Sequence, residues 1–418
     1  MRTVIVGGGL IGLTTAQALA ERGEEVLVLE AREGVGLETS FANGGMLTPS
    51  MPEPWNGPGV FGHLLTSLFN PHAAMKLRLS AVPSLMTWGI GFIRNSSMRR
   101  YLSASLNNYR MSCYSIQKTL DISRRLELSY DFSEQGTLCI FEDPGRMEER
   151  RILCKYLEDY GLSAEELDAE QVIAREPVLG PIRNRLIGGI WLPDDARGDA
   201  HLFCRELESV IVAEGGEIRT GTSVSGIATK GGKVCGVEIG NQLLEAERVV
   251  IAAGSHSPAL LATAGQSIAV KPAKGYSITF DGSGLDRLPD VAIGDDALHA
   301  VITTFGKRLR VVGTAEFTGF DKSLTKERID NLFHVLDTVL PEQSAALDHS
   351  QASAWAGLRP MSNDGKPFIG VSAVGGLFVN TGHGALGWTM AMGSANLLAD
   401  QMCGTVPEID GKPFDARR

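Results

Sequence analysis

Three glycines at the spacing Gly7-x-Gly9-x-x-Gly12, followed 18 positions later by Glu30, are the residues of this chain that most directly imply chemistry. Gly7 permits a tight turn, Gly9 lets backbone approach a pyrophosphate, and Gly12 lets a helix pack closely on a sheet. The helix that leaves this turn, past Leu10 and Ile11, offers free N–H groups and a positive dipole end to a diphosphate. Glu30 would accept hydrogen bonds from ribose hydroxyls and disfavours a 2′-phosphate. Two further glycine-bearing places, Ala253-Gly254 and Gly382-His383-Gly384, lie far along the chain. Three such places suit one long cofactor pinned along its length, which favours FAD over a nicotinamide nucleotide. The alternative is a set of purely structural glycine turns.

These residues need particular elements to hold them. Residues 3–6 read as a buried strand, 13–22 as a helix ended by Gly23 and 26–29 as a second buried strand, which together make one βαβ unit. Residues 34–60 are rich in Gly, Pro, Asn and Ser, too long for an idle connection, and are expected to touch a ligand. Helical patterns follow at 61–70, 81–94 and 98–127, then a strand at 137–141 and helices at 145–160 and 168–175, the last stopped by Pro177. A strand at 188–192 leads to Asp199, an N-cap for a helix over 200–214. Strands are expected at 217–219, 222–229, 233–239 and 248–252, then at 270–280, 299–305 and 309–317, with a hairpin turn at Gly306-Lys307. A helix over 325–339 stopped by Pro341, strands at 367–370 and 377–380 and a helix over 386–402 complete the chain.

Composition narrows the function. The 418 residues suffice for two or three domains, and 39 Lys+Arg against 49 Asp+Glu give a net charge of −10, which argues against a nucleic-acid partner. The six cysteines show neither CxxC spacing nor a Cys/His cluster, so no metal site is expected and a reducing compartment fits best. The first residues do not read as a signal peptide. The most apolar window, 81–93, is too short to span a membrane and carries a proline and two glycines.

Several stretches resemble the bacterial D-amino-acid dehydrogenases, FAD flavoproteins of the D-amino-acid oxidase, glycine oxidase and sarcosine oxidase superfamily. The segment Glu38-Thr39-Ser40-Phe41-Ala42-Asn43-Gly44-Gly45 carries this likeness. So do Leu192-Pro193-Asp194 with Gly198-Asp199, Lys274-Gly275-Tyr276-Ser277, Trp355-Ala356-Gly357-Leu358-Arg359-Pro360-Met361 with Asp364-Gly365, and Asn380 to Trp388. The resemblance implies oxidative deamination of a D-amino acid to the 2-oxo acid and ammonia, with hydride transfer from Cα to flavin N5. It makes Arg359 the anchor for the substrate carboxylate, a role suited to a planar guanidinium. Tyr276 is expected to face substrate, or else to be a core tyrosine with its hydroxyl satisfied elsewhere. His383, and the backbone of Gly382, Gly384, Ala385, Leu386 and Gly387 around it, are expected at the flavin pyrimidine edge.

By the same resemblance Ser40, Asn43, Gly44 and Gly45 lie along the flavin diphosphate and ring. Ala31, Arg32 and Val224 join Glu30, Ala253 and Gly254 on the cofactor, Arg32 being otherwise an exposed charge. Lys274 either reaches the site or faces solvent. Some relatives attach flavin through a cysteine after the arginine segment; here that stretch is Pro360-Met361-Ser362-Asn363, so FAD is expected to be noncovalent.

The expected fold is α/β, a Rossmann-like FAD domain with a second domain of mixed antiparallel sheet and helices. The FAD domain is assigned residues 1–80, 185–258 and 350–418, the substrate domain 81–184 and 259–349. Electrons are expected to pass to a quinone or other respiratory acceptor. The apolar 81–93 run followed by Arg94, Arg99 and Arg100 suits peripheral contact through 81–100 with the inner face of a bacterial inner membrane, a core helix with a solvated basic end being the alternative. Two other readings stay open: an oxygen-using glycine- or sarcosine-type amine oxidase, and a flavoprotein subunit of a multi-component hydroxyproline or imino-acid dehydrogenase.

Overall fold

A computed structural model describes residues 2–60, 75–78 and 81–418; the helix expected over 61–70 lies outside them. Two sheets organise the chain. The first runs in the order Phe368–Val371, Leu377–Thr381, Arg248–Ile251, Arg2–Val6, Glu25–Leu29, Glu217–Arg219. All its neighbouring strands are parallel except the first pair. Parallel strands covered on both faces must be apolar throughout, and alternate residues of each strand feed separate cores. Ile5, Val28 and Val250 pack with the helices Leu10–Ala20, Ala200–Ala213 and Ala391–Cys403. Val4, Leu27 and Val249 pack on the other face with Ile227, Val237 and Leu260.

The second sheet runs Ser353–Ser362, Val270–Asp281, Arg308–Phe317, Ala300–Phe305, Ala292–Asp295, Thr137–Phe141, Gly188–Leu192, Glu165–Asp168, with Met75–Leu77 paired to Arg308–Phe317. One face covers a core of Ile278, Val311 and Leu332. The other turns toward the first sheet, and the loop 38–48 lies between them. Ser277 Oγ donates to Ala42 O at 2.8 Å, Arg310 Nη1 to Asn43 O at 2.9 Å and Thr303 Oγ1 to Gly44 O at 3.2 Å. The long glycine-rich segment thus has its backbone held by the second sheet.

Several expectations are corrected. The strands at 188–192 and 353–362, assigned to the FAD domain, pair into the second sheet, because Thr137–Phe141 and Val270–Asp281 would otherwise leave ladder groups without partners. The helix Met98–Arg125, assigned to the substrate domain, buries Met111, Tyr114 and Ile122 in the core shared with Leu13. The last helix does not begin at 386. A short 3-10 turn spans Gly384–Leu386, and the helix proper starts at Ala391. Between them Trp388 Nε1 donates to Gly198 O and Thr389 Oγ1 accepts from Thr48 N–H, which ties this stretch to other elements. Pro341 does stop one helix, and it also opens another, Pro341–Ala346, as a first-turn proline can. Asp199 caps as expected, accepting from the N–H groups of His201 and Leu202.

Candidate cofactor and substrate cavity

One elongated cavity of about 940 Å³ runs between the sheets, from Glu30 and Arg32 to Arg359. Every residue singled out from the sequence lines it except Gly12, Gly382 and Lys274. Gly12 acts through packing, because a Cβ there would stand 1.8 Å from Gly7 O. Gly7 itself holds φ +114°, and a Cβ on it would stand 2.6 Å from Ala252 O. Gly382, at φ +84°, packs toward Phe368 and Val270.

At the nucleotide end, Glu30 organises the turn. Its Oε2 accepts from Gly8 N–H at 2.6 Å and its Oε1 from Arg32 N–H at 2.8 Å, which leaves a lone pair on each oxygen for a ligand hydroxyl. Ser40 Oγ accepts from Leu10 N–H at 3.2 Å, joining the 34–60 segment to the first helical turn. Arg32 is paired with Glu38, which Lys322 also grips at 2.8 Å. Burial works to raise the Glu38 pKa, but Lys322 and Arg32 outweigh it and hold the carboxyl below its ordinary range. Asn43 caps its own loop, its Oδ1 accepting from Gly45 N–H at 2.9 Å.

At the other end, Arg359 projects from Ser353–Ser362 and its guanidinium lies over Gly275 of the adjacent strand, with Trp55 beside it at 5.5 Å. Among the described residues no carboxylate pairs with it, and its Nη1 has no hydrogen-bond partner. Burial alone draws its pKa down to about 10, so it remains a cation at neutral pH. His383 is buried with neither ring nitrogen partnered, and burial pulls its pKa down to about 3, so the ring is neutral.

Tyr276 reaches the cavity wall, but its hydroxyl is turned to the back of the sheet, donating to Glu316 Oε2 at 2.6 Å and contacting Thr325 Oγ1 at 2.8 Å. Burial, then the bond to Glu316, pushes its pKa up. The core-tyrosine reading describes its side chain. Lys274 takes neither expected place: it is fully buried in the same back-face cluster, 3.6 Å from Glu316, with Nζ donating to Ser323 O at 2.9 Å.

Cavity residues that sequence reasoning left unassigned include Trp55, Trp355, His256 and Glu53. Trp355 stands inside the Trp355 to Met361 stretch and Trp55 inside the 34–60 segment expected to touch a ligand, so a signal existed for both. Glu53 lies in the same 34–60 segment, and Arg150 holds it at 2.6 Å. Among the described residues no cluster of His, Cys, Asp or Glu is placed to hold a metal, and no helix is long and apolar enough to cross a membrane.

The donors fit a flavin dinucleotide. A glycine turn opens a helix at one end, a carboxylate with spare lone pairs stands at ribose reach, and a buried histidine with orphaned nitrogens and an unpaired guanidinium lie at the other. This architecture is that of a two-domain, dinucleotide-dependent oxidoreductase. The chain belongs to the FAD dependent oxidoreductase (DAO) family, whose signature matches residues 2–401. It is 38% identical over 419 aligned positions to a D-amino acid dehydrogenase of Methylobacterium sp. (strain 4-46), covering 100% of this chain and 99% of that one. A D-amino acid dehydrogenase 1 of Mesorhizobium japonicum is 37% identical, at 100% and 99% coverage. Among solved structures, the fold is similar to glycine oxidase from Geobacillus kaustophilus (TM-score 0.77, 22% identity, 100% and 99% coverage). It is also similar to L-proline dehydrogenase from P. horikoshii (TM-score 0.79, 18% identity, 100% and 97% coverage). The chain is an FAD-binding enzyme of this family.

Proposed function

We propose that the protein oxidises a D-amino acid to the 2-oxo acid and ammonia and passes the electrons to a quinone. The observation that carries this reading is the unpaired Arg359 guanidinium on the cavity wall, a cation with no internal acid among the described residues. A substrate carboxylate supplies the missing partner, and a charge-assisted, bidentate pair fixes its orientation. Trp55 lies 5.5 Å from this guanidinium and Trp355 lines the same cavity, so the substrate would sit beside two apolar rings. When bound, FAD supplies the two-electron acceptor for the Cα hydride. The amine nitrogen gives up its proton, the resulting imine takes up water, and ammonia leaves.

Glu30 holds the ribose end, and the first turn of Leu10–Ala20 holds the diphosphate. The neutral His383 ring does not supply a positive charge at neutral pH, so the backbone N–H groups around it are the group assigned to the flavin edge. FAD is held noncovalently, a reading supported by the absence of any of the six cysteines from the cavity wall. The likeness to curated D-amino acid dehydrogenases supports the D configuration.

Contact with the inner face of a membrane is supported by the helix Val82–Arg94, whose Met86, Ile90 and Ile93 are exposed at 63%, 52% and 46%. They stand at i, i+4 and i+7, one stripe, and the helix ends in Arg94 with Arg99 and Arg100 beyond it. The reaction is tested by anaerobic mixing of the holoenzyme with D- and L-amino acids, with bleaching of the flavin as the readout.

A further inference from the structure

The strand Arg308–Phe317 carries one residue too many. Opposite Val270–Asp281 it pairs Val312 with Ser277 and Gly313 with Tyr276, then Ala315 with Gly275 and Glu316 with Lys274, which leaves Thr314 without a partner. Thr314 holds φ +53°, a left-handed conformation that a β-branched residue rarely adopts, and its hydroxyl is buried without a partner. This is a β-bulge, and a bulge reverses which face every later residue of the strand occupies.

The reversal decides where Glu316 points. Val312 lines the cavity, so in an unbroken strand residues 314 and 316 would turn to the cavity as well. Glu316 would then stand opposite Ala273, whose partner on its other side is Arg359. The acid and the guanidinium would share one row of one face, their strands roughly 10 Å apart, within reach of two long side chains. Instead Glu316 lies on the back face, 1% exposed, where Arg328, Lys274 and the Tyr276 hydroxyl hold it.

We propose that Thr314 is a positioning residue: its bulge keeps the Glu316 carboxylate off the face that carries Arg359, and so leaves that guanidinium free for the carboxylate of a substrate. The proposal rests on Arg359 as anchor and explains why an acid two strands away in the same sheet does not quench it. The back-face cluster is the other half of the device, because it supplies Glu316 with cations of its own.

The test is binding of propionate, a carboxylate without an amine, to the oxidised holoenzyme, read as the perturbation of the flavin spectrum. Arg359→Ala is expected to weaken binding about 50-fold, the size of one lost charged hydrogen bond. Deleting Thr314 is expected to do the same, with most of the loss restored when Glu316→Gln is added; Thr314→Gly, which accepts a positive φ, keeps wild-type binding. If the deletion chain does not fold, the pair Ala315→Glu and Ala315→Gln decides, since Ala315 faces the same side as Gly275 with the bulge intact. The acid is expected to weaken propionate as Arg359→Ala does, and the amide to leave it within threefold. Wild-type binding by the folded deletion chain, a loss that Glu316→Gln does not restore, or equal behaviour of the two Ala315 variants overturns the proposal. If Arg359→Ala itself binds propionate normally, the anchor reading fails and the proposal with it; if only the Thr314 and Ala315 variants fail, the anchor stands.

Discussion

The Arg359 guanidinium lies on the bare Cα of Gly275: a Cβ on residue 275 would stand 1.8 Å from Nη1 and 2.4 Å from Cζ. Gly275 is therefore the floor on which the candidate anchor rests. Gly275→Ala should lift the guanidinium and raise KM for amino-acid substrates by about 10- to 100-fold, the range that a misplacement near 1 Å brings. Flavin content and melting temperature should change little, and steady-state kinetics on the purified holoenzyme checks the expectation.

Keeping an unpaired cation in that wall costs stability. Burial draws the Arg359 pKa well below its ordinary value, to about 10, so folding disfavours its proton. The penalty is present in full below pH 10 and fades as the pH rises toward the unfolded value. Arg359→Leu is therefore expected to stabilise the cofactor-loaded, substrate-free protein at neutral pH, by on the order of 1–2 kcal/mol after discounting solvent screening. It should abolish carboxylate binding in the same step. Denaturant unfolding of the two proteins at pH 7 is the check.

Much of this site could be read from the sequence, and the reasons differ by residue. The glycine turn and Glu30 are local: spacing, strand and helix lie within thirty residues, so pattern alone predicts their geometry. Arg359 stood out through the stretch around it. The bulge at Thr314 was hidden because Arg308–Phe317 is buried along nearly its whole length, so no change of alternation marks where its faces exchange. Lys274 was misread for a related reason, since a charged residue between apolar neighbours looks solvent-facing until its distant partners Glu316 and Ser323 are known. Residues 353–362 were not read as a strand. Gly357 and Pro360 break the pattern, and the partner Val270–Asp281 lies some eighty positions away.

Glu30 is tied to two backbone N–H groups as well as to the proposed ribose contact. Glu30→Ala leaves Gly8 and Arg32 N–H without acceptors and removes the ligand's own partner. The expected result is a weakening of FAD retention by about 10- to 100-fold, the equivalent of one or two charged hydrogen bonds. Equilibrium titration of the apoprotein with FAD measures it.

The stripe Met86, Ile90, Ile93 predicts a surface effect that leaves the cavity untouched. Ile90→Glu should sharply reduce co-sedimentation with vesicles containing anionic lipid while turnover with a soluble dye acceptor stays at the wild-type level. High salt should weaken the wild-type interaction too, because Arg94, Arg99 and Arg100 supply its electrostatic part.

The most direct test of the whole account is to mix the yellow holoenzyme, without oxygen, with separate D- and L-amino acids, glycine, sarcosine and proline analogues, and to follow flavin absorbance. The account predicts rapid bleaching by D-amino acids and none by their L counterparts, with colour restored faster by a soluble quinone than by air. Bleaching by secondary amines alone, by L-amino acids, or by nothing in the panel would contradict it.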